Sequence, residues 1–123
     1  MSECKFTVDQ EKKLIKVVWS GRLDYTEIEE LCNAVVIAMK KFKKGEVLIL
    51  GDTRNLDMRF IPPGADKILQ DNYALSISYC KKSATLVSSI MLEKQFEKSA
   101  TSGDVSNFRM FDSEAEAMAW LLE

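Results

Sequence analysis

Four consecutive apolar residues, Val47, Leu48, Ile49 and Leu50, give way at once to the small and polar run Gly51-Asp52-Thr53-Arg54-Asn55. A short apolar run bounded by turn residues predicts a strand buried on both faces. The polar run predicts a loop. In α/β domains the loop beyond the end of such a strand is the usual place for a site.

The remaining pattern arranges itself around that strand. Lys5 to Val8 and Leu14 to Trp19 alternate apolar with polar positions, so two strands are expected, joined as a hairpin through Asp9-Gln10-Glu11-Lys12-Lys13. Asp24 is placed as a helix N-cap with Glu27 completing a capping box. Ile28, Leu31, Cys32, Val35, Met39 and Phe42 then recur at spacings of three and four, and Gly45 ends the helix. Strand, helix and strand in succession imply a right-handed parallel crossover. Asp57 to Ile61 is ambiguous between loop and turn. After Pro62-Pro63-Gly64 a second helix is expected over 65–79, with Ile68, Leu69, Tyr73 and Ile77 as its stripe. Residues 84–89 read as an inner strand, 91–99 as a helix and 108–111 as a final strand. Ser113 and Glu116 suggest a second capping box, followed by a stripe of Ala115, Met118, Ala119 and Leu122. The predicted order is β-β-α-β-α-β-α-β-α, an α/β fold with a mixed sheet.

Composition narrows the function classes. The chain has 123 residues, 46% of them apolar, enough for one domain with a core. Its formal net charge is −2, which gives no global attraction to nucleic acid, and no nucleic-acid partner is expected. Lys40, Lys41, Lys43 and Lys44 crowd one helix end and are expected to form a solvated face that complements the helix dipole. Three scattered cysteines, Cys4, Cys32 and Cys80, and no histidine argue against a disulfide scaffold or a zinc site, and reduced thiols point to the cytoplasm. No signal peptide or transmembrane segment is expected.

Candidate chemistry is sparse. Without histidine the Ser-His-Asp and Cys-His arrangements are impossible within one chain. No Walker loop or dinucleotide-binding glycine motif occurs. Asp52 and Asp57 as paired acids are less favoured than pairing with Arg54 or Arg59. Cys80 before Lys81-Lys82 is either a thiol of lowered pKa or a buried structural one, and the second is favoured. Arg54 follows the inner strand, where its guanidinium fork could accept a carboxylate or phosphate or pair locally with Asp52 or Asp57. Asn55 could bond a ligand or its own loop. Met58, Phe60 and Ile61, with Tyr73 and Ile77, could line a groove or cover the sheet edge. The candidate binding residues are therefore Asp52, Arg54, Asn55, Met58, Phe60, Ile61 and Tyr73. No catalytic residue, metal ligand or cofactor is expected.

The closing segment Phe111-Asp112-Ser113-Glu114-Ala115-Glu116-Ala117-Met118-Ala119-Trp120-Leu121-Leu122 resembles the end of small bacterial SpoIIAA-like proteins, grouped with STAS domains, whose last strand runs into FDS-x-x-x-A-x-x-W-L. Gly21-Arg22-Leu23-Asp24-Tyr25 resembles the G-x-L-T segment that leads into their first helix. The order of elements agrees along nearly the whole chain. The resemblance implies a single SpoIIAA-like domain over 1–123, with a mixed β-sheet wound as successive βα turns. In anti-sigma-factor antagonists of the wider group it also implies a phosphorylatable serine at the start of the helix after the central strand. Here that neighbourhood is Ile61-Pro62-Pro63-Gly64-Ala65-Asp66, without Ser or Thr, and Thr53 is a poor substitute. Two functions are carried forward. The first is a non-enzymatic binding or regulatory module acting by protein–protein contact. The alternative is a small carrier of an apolar or lipid-like ligand. A homodimer is compatible with either.

Overall fold

The computed structural model of the chain describes residues 3–56, 62–88 and 107–123. Two strands open it, β1 (Glu3–Asp9) and β2 (Leu14–Gly21). Then come α1 (Tyr25–Met39), β3 (Leu48–Leu56), α2 (Ala65–Tyr79), β4 (Lys82–Leu86), β5 (Phe108–Phe111) and α3 (Glu114–Leu121). The helix expected over 91–99 lies outside the described residues. The strands form one sheet in the order β1-β2-β3-β4-β5. The β1–β2 hairpin is antiparallel and every other pairing is parallel. This is the mixed sheet with successive βα turns that the sequence predicts.

Alternation along the central strands divides the apolar residues between two cores. Ile15, Val17, Trp19 and Ile49 point to one face and pack with Ile28, Cys32, Val35 and Met39 of α1, while Ile68 and Leu69 of α2 close over the edge. Leu14, Leu48, Leu50, Ala84 and Leu86 point to the other face and pack with Ala117 and Leu121 of α3. The uninterrupted run Val47–Leu50 thus serves both layers, as a strand covered on both faces must. Burying a side chain such as Leu50, fully inaccessible here, contributes about 2 kcal/mol.

The helix starts follow their sequence signals. Asp24 accepts from the Glu27 backbone N–H at 2.8 Å, and the Glu27 carboxylate accepts from the Asp24 N–H at 3.1 Å, a complete capping box. At α3 the Ser113 hydroxyl accepts from the Glu116 N–H at 3.4 Å, so the serine half of the expected second capping box is made and the reciprocal bond to the Glu116 carboxylate is not. The α3 stripe differs from expectation. Ala117 and Leu121 are buried, whereas Ala115 and Ala119 are exposed and Leu122 is 50% exposed. Nearly every position of this short helix is apolar or small, so periodicity alone could not set its rotation; packing against β4 does.

The largest departure concerns β3. The run Gly51–Asn55 is strand, not loop: β2 runs beside it, and β4 flanks its first two residues on the other side. Val18 aligns with Asp52, and after a register shift Ser20 aligns with Asn55 and Gly21 with Leu56. On the other side Thr85 aligns with Gly51 and Leu86 with Asp52. No helix among the described residues is long and apolar enough to cross a membrane.

Candidate functional site at the end of the central strand

Because β3 continues as strand, its alternation sorts the polar residues. Asp52 follows Leu50 onto the face covered by α3. Its carboxylate is 8% exposed, and Arg54, two residues on, reaches back to it. Arg54 Nε donates to Oδ1 at 3.0 Å and Nη2 to Oδ2 at 2.8 Å, while the Arg54 backbone N–H donates to Oδ1 at 3.1 Å. This is the bidentate fork that guanidinium and carboxylate form best. These hydrogen bonds hold the Asp52 pKa below its ordinary value against the opposing effect of burial, and Lys16 adds to the lowering. The same bonds raise that of Arg54, and Glu114 adds to the raising.

Lys16 and Glu114 themselves meet, Nζ to Oε1 at 2.6 Å, joining β2 to the first turn of α3. Four alternating charges therefore span the strand ends and the start of α3. Sequence reasoning missed Lys16 and Glu114. The available signal was a lysine inside an otherwise apolar strand, a position that needs a partner on that face.

The opposite face holds Tyr73. Its ring meets Phe108 edge-on at a centroid separation of 4.8 Å, and its hydroxyl lies 3.3 Å from Thr85 Oγ1. Burial pushes its pKa up to about 12. Tyr73, Asn72, Ser76, Thr85 and Gly51 line a small cavity of about 60 Å³ beneath α1 and α2. The sheet thus separates Tyr73 from Asp52 and Arg54, which sequence reasoning had grouped. Thr53 is engaged within the sheet, donating to the Leu86 carbonyl at 2.8 Å. Arg54 and Asn55 are exposed at the strand end. Met58, Phe60 and Ile61 lie outside the described residues, as do Asp57 and Arg59.

Cys32 and Cys80 are buried free thiols. Burial pushes their pKa values up to about 11 and about 12, which favours the structural reading of Cys80 over a reactive one. Among the described residues no group of three or more His, Cys, Asp or Glu side chains could hold a metal ion. At the start of α2, Gly64 takes the left-handed conformation (φ 86°), and a Cβ there would sit 3.4 Å from the Tyr25 ring. The positive φ favours glycine at this helix start, while the ring lies at ordinary contact distance.

Solved structures share this arrangement. A crystal structure of an uncharacterized protein of the DUF3478 family from Shewanella loihica PV-4, described as having a SpoIIAA-like fold, superposes with a TM-score of 0.70 at 16% identity, over 98% of this chain and 93% of that one. The fold is SpoIIAA-like. The Bacillus cell fate determinant SpoIIAA in its phosphorylated form matches at a TM-score of 0.62 and 16% identity, over 96% of this chain and 98% of that one. No family model matches the sequence, and no curated protein does. Within the SpoIIAA-like fold the Asp52–Arg54 pair marks the carboxyl end of the central strand.

Proposed function

We propose that the protein is a non-enzymatic binding or regulatory module that acts through protein–protein contact, with its contact surface at the carboxyl end of β3. Arg54 and Asn55 belong to that surface, and Met58, Phe60 and Ile61, which follow in the sequence, are proposed as its apolar members. The observation that carries this reading is the Asp52–Arg54 fork. It commits the buried acid to a neighbouring cation and gives the strand end a rigid polar rim, which suits recognition more than proton transfer. The SpoIIAA-like fold supports the same reading. The alternative, an apolar carrier, finds less support: the cavity beneath α1 and α2 holds about 60 Å³ and is lined in part by polar side chains, whereas pockets for drug-sized ligands run to about 300–1,000 Å³.

The test is affinity capture from extracts of the native cell with three baits: the wild type, Arg54→Ala/Asn55→Ala and Met58→Ser/Phe60→Ser. A protein retained by the wild type and lost from both variants, at unchanged circular dichroism, is the expected result. Equal recovery on all three baits excludes this surface. Native mass spectrometry on the gently purified protein decides the alternative, which requires a bound apolar molecule.

A further inference from the structure

The other end of the sheet carries a second surface. Three connections meet there: the β1–β2 turn, the α1–β3 loop and the α2–β4 junction. Backbone hydrogen bonds tie them together. The Leu48 N–H donates to the Lys13 carbonyl at 2.8 Å, the Gly45 N–H to the Tyr79 carbonyl at 2.7 Å, and the Lys81 N–H to the Val47 carbonyl at 2.9 Å. Each connection brings lysines. Together with the C-terminal residues they enclose a basin of about 540 Å³, lined by five lysines against two glutamates.

One of those glutamates is already used. Glu46 pairs with Lys13 and also accepts from the Lys43 backbone N–H at 3.2 Å. The ammonium groups of Lys12, Lys43, Lys44 and Lys81 have no carboxylate partner among the described residues. A chain of net charge −2 thus concentrates unpaired positive charge at one end. Fixing like charges together costs energy unless an anion joins them. The basin is also partly apolar: Leu48 and Leu121 form its floor, and Leu122 is 50% exposed at its edge.

We propose that this basin docks a carboxylate-rich protein segment carrying an apolar side chain. Lysines are separate point charges on flexible stems, which suits carboxylates spread along a segment. Among the described residues its lining contains no arginine to fork a phosphate and no aromatic ring to stack a base. Leu122 supplies the contact for the apolar side chain. The basin lies at the amino ends of β3 and β4, away from Asp52–Asn55, and its occupant is independent of the partner proposed there.

The probe is a fluorescein-labelled synthetic peptide of about a dozen residues, mostly glutamate with a central pair of leucines, followed by fluorescence anisotropy. Binding is expected at low ionic strength and should weaken as salt is added. Lys43→Gln/Lys44→Gln/Lys81→Gln should weaken it by about tenfold or more. Leu122→Ser should weaken it by about threefold to tenfold with the salt dependence kept. All variants should retain the wild-type circular dichroism spectrum, since the altered side chains are exposed. Phosphatidylserine vesicles and a single-stranded oligonucleotide of matched charge form the comparison arms. Absence of peptide binding at low salt, equal binding by the triple variant, or tighter binding of vesicles or oligonucleotide than of peptide would each overturn the proposal.

Discussion

Asp52 is a buried acid whose partner lies two residues along the same strand. Its pKa is lowered in the folded state, chiefly by hydrogen bonds from Arg54. A lowered carboxyl pKa means that the pair stabilises the fold above the unfolded value, about 3.9, and that this contribution disappears as pH falls through the folded pKa. Arg54 is 38% exposed, so solvent screening reduces what the fork is worth. Asp52→Asn is expected to cost about 1 kcal/mol at pH 7. The difference between wild type and variant should stay level down to about pH 4 and close below it. Urea midpoints measured across that range check this, and a gap that persists at the lowest pH would mean the carboxylate charge is not the cause. The acid and its cation were both legible as candidates from residue type. Their pairing was the favoured local role of Arg54; its bidentate geometry within a strand was not legible, because the polar run reads as a loop.

Among the elements, α1 shows the closest agreement between pattern and structure. Its apolar stripe and capping box lie within one stretch of chain, so local information suffices for them; the helix nevertheless ends at Met39 with Lys40 as its C-cap, and Gly45, the expected stop, lies beyond it. The cap is solvent-exposed and both of its hydrogen bonds are made, so Asp24→Ala should destabilise the protein by about 1 kcal/mol, and Asp24→Ser by much less. Thermal or urea unfolding of the two variants distinguishes them; equal losses would show that the cap contributes nothing specific. By contrast α3 matches its expected stripe only in part: Met118 packs against the core, while Ala115, Ala119 and Leu122 do not. Its stripe is ambiguous because Ala115, Ala117, Ala119 and Met118 offer comparable faces. The choice of Ala117 and Leu121 depends on the leucines of β3 and β4 that meet them. The same dependence explains β3 itself: Gly51 to Asn55 lack strand character, yet β2 pairs along the run and β4 pairs with Gly51 and Asp52.

One sheet separates two cores, and each core has a tryptophan reporter. Trp19 is buried among residues of β2 and α1, and Trp120 packs against the α3 side, its ring 5.8 Å from that of Phe111. Since β2, β3 and β4 contribute side chains to both layers, neither core can come apart without exposing the other. Single-tryptophan variants Trp19→Phe and Trp120→Phe should therefore report the same urea midpoint as circular dichroism on each variant. Separate midpoints within one variant would show that the layers melt independently.

Local pattern determined the class of the protein: most of its strands and helices, their order, the capped start of α1, and an inventory without histidine. Each of these depends on residues close together in the chain or on composition. Tertiary structure decided what no local window contains. It extended the central strand through a polar run by pairing it with β2 and, at its start, with β4. It placed Tyr73 across the sheet from Asp52 and Arg54, and joined Lys16 to Glu114, 98 positions away. It also gathered lysines from three connections into one basin. In sequence those lysines are isolated doublets before successive strands; the parallel pairing of β2, β3 and β4 sets those strand starts side by side, and so brings the charges together.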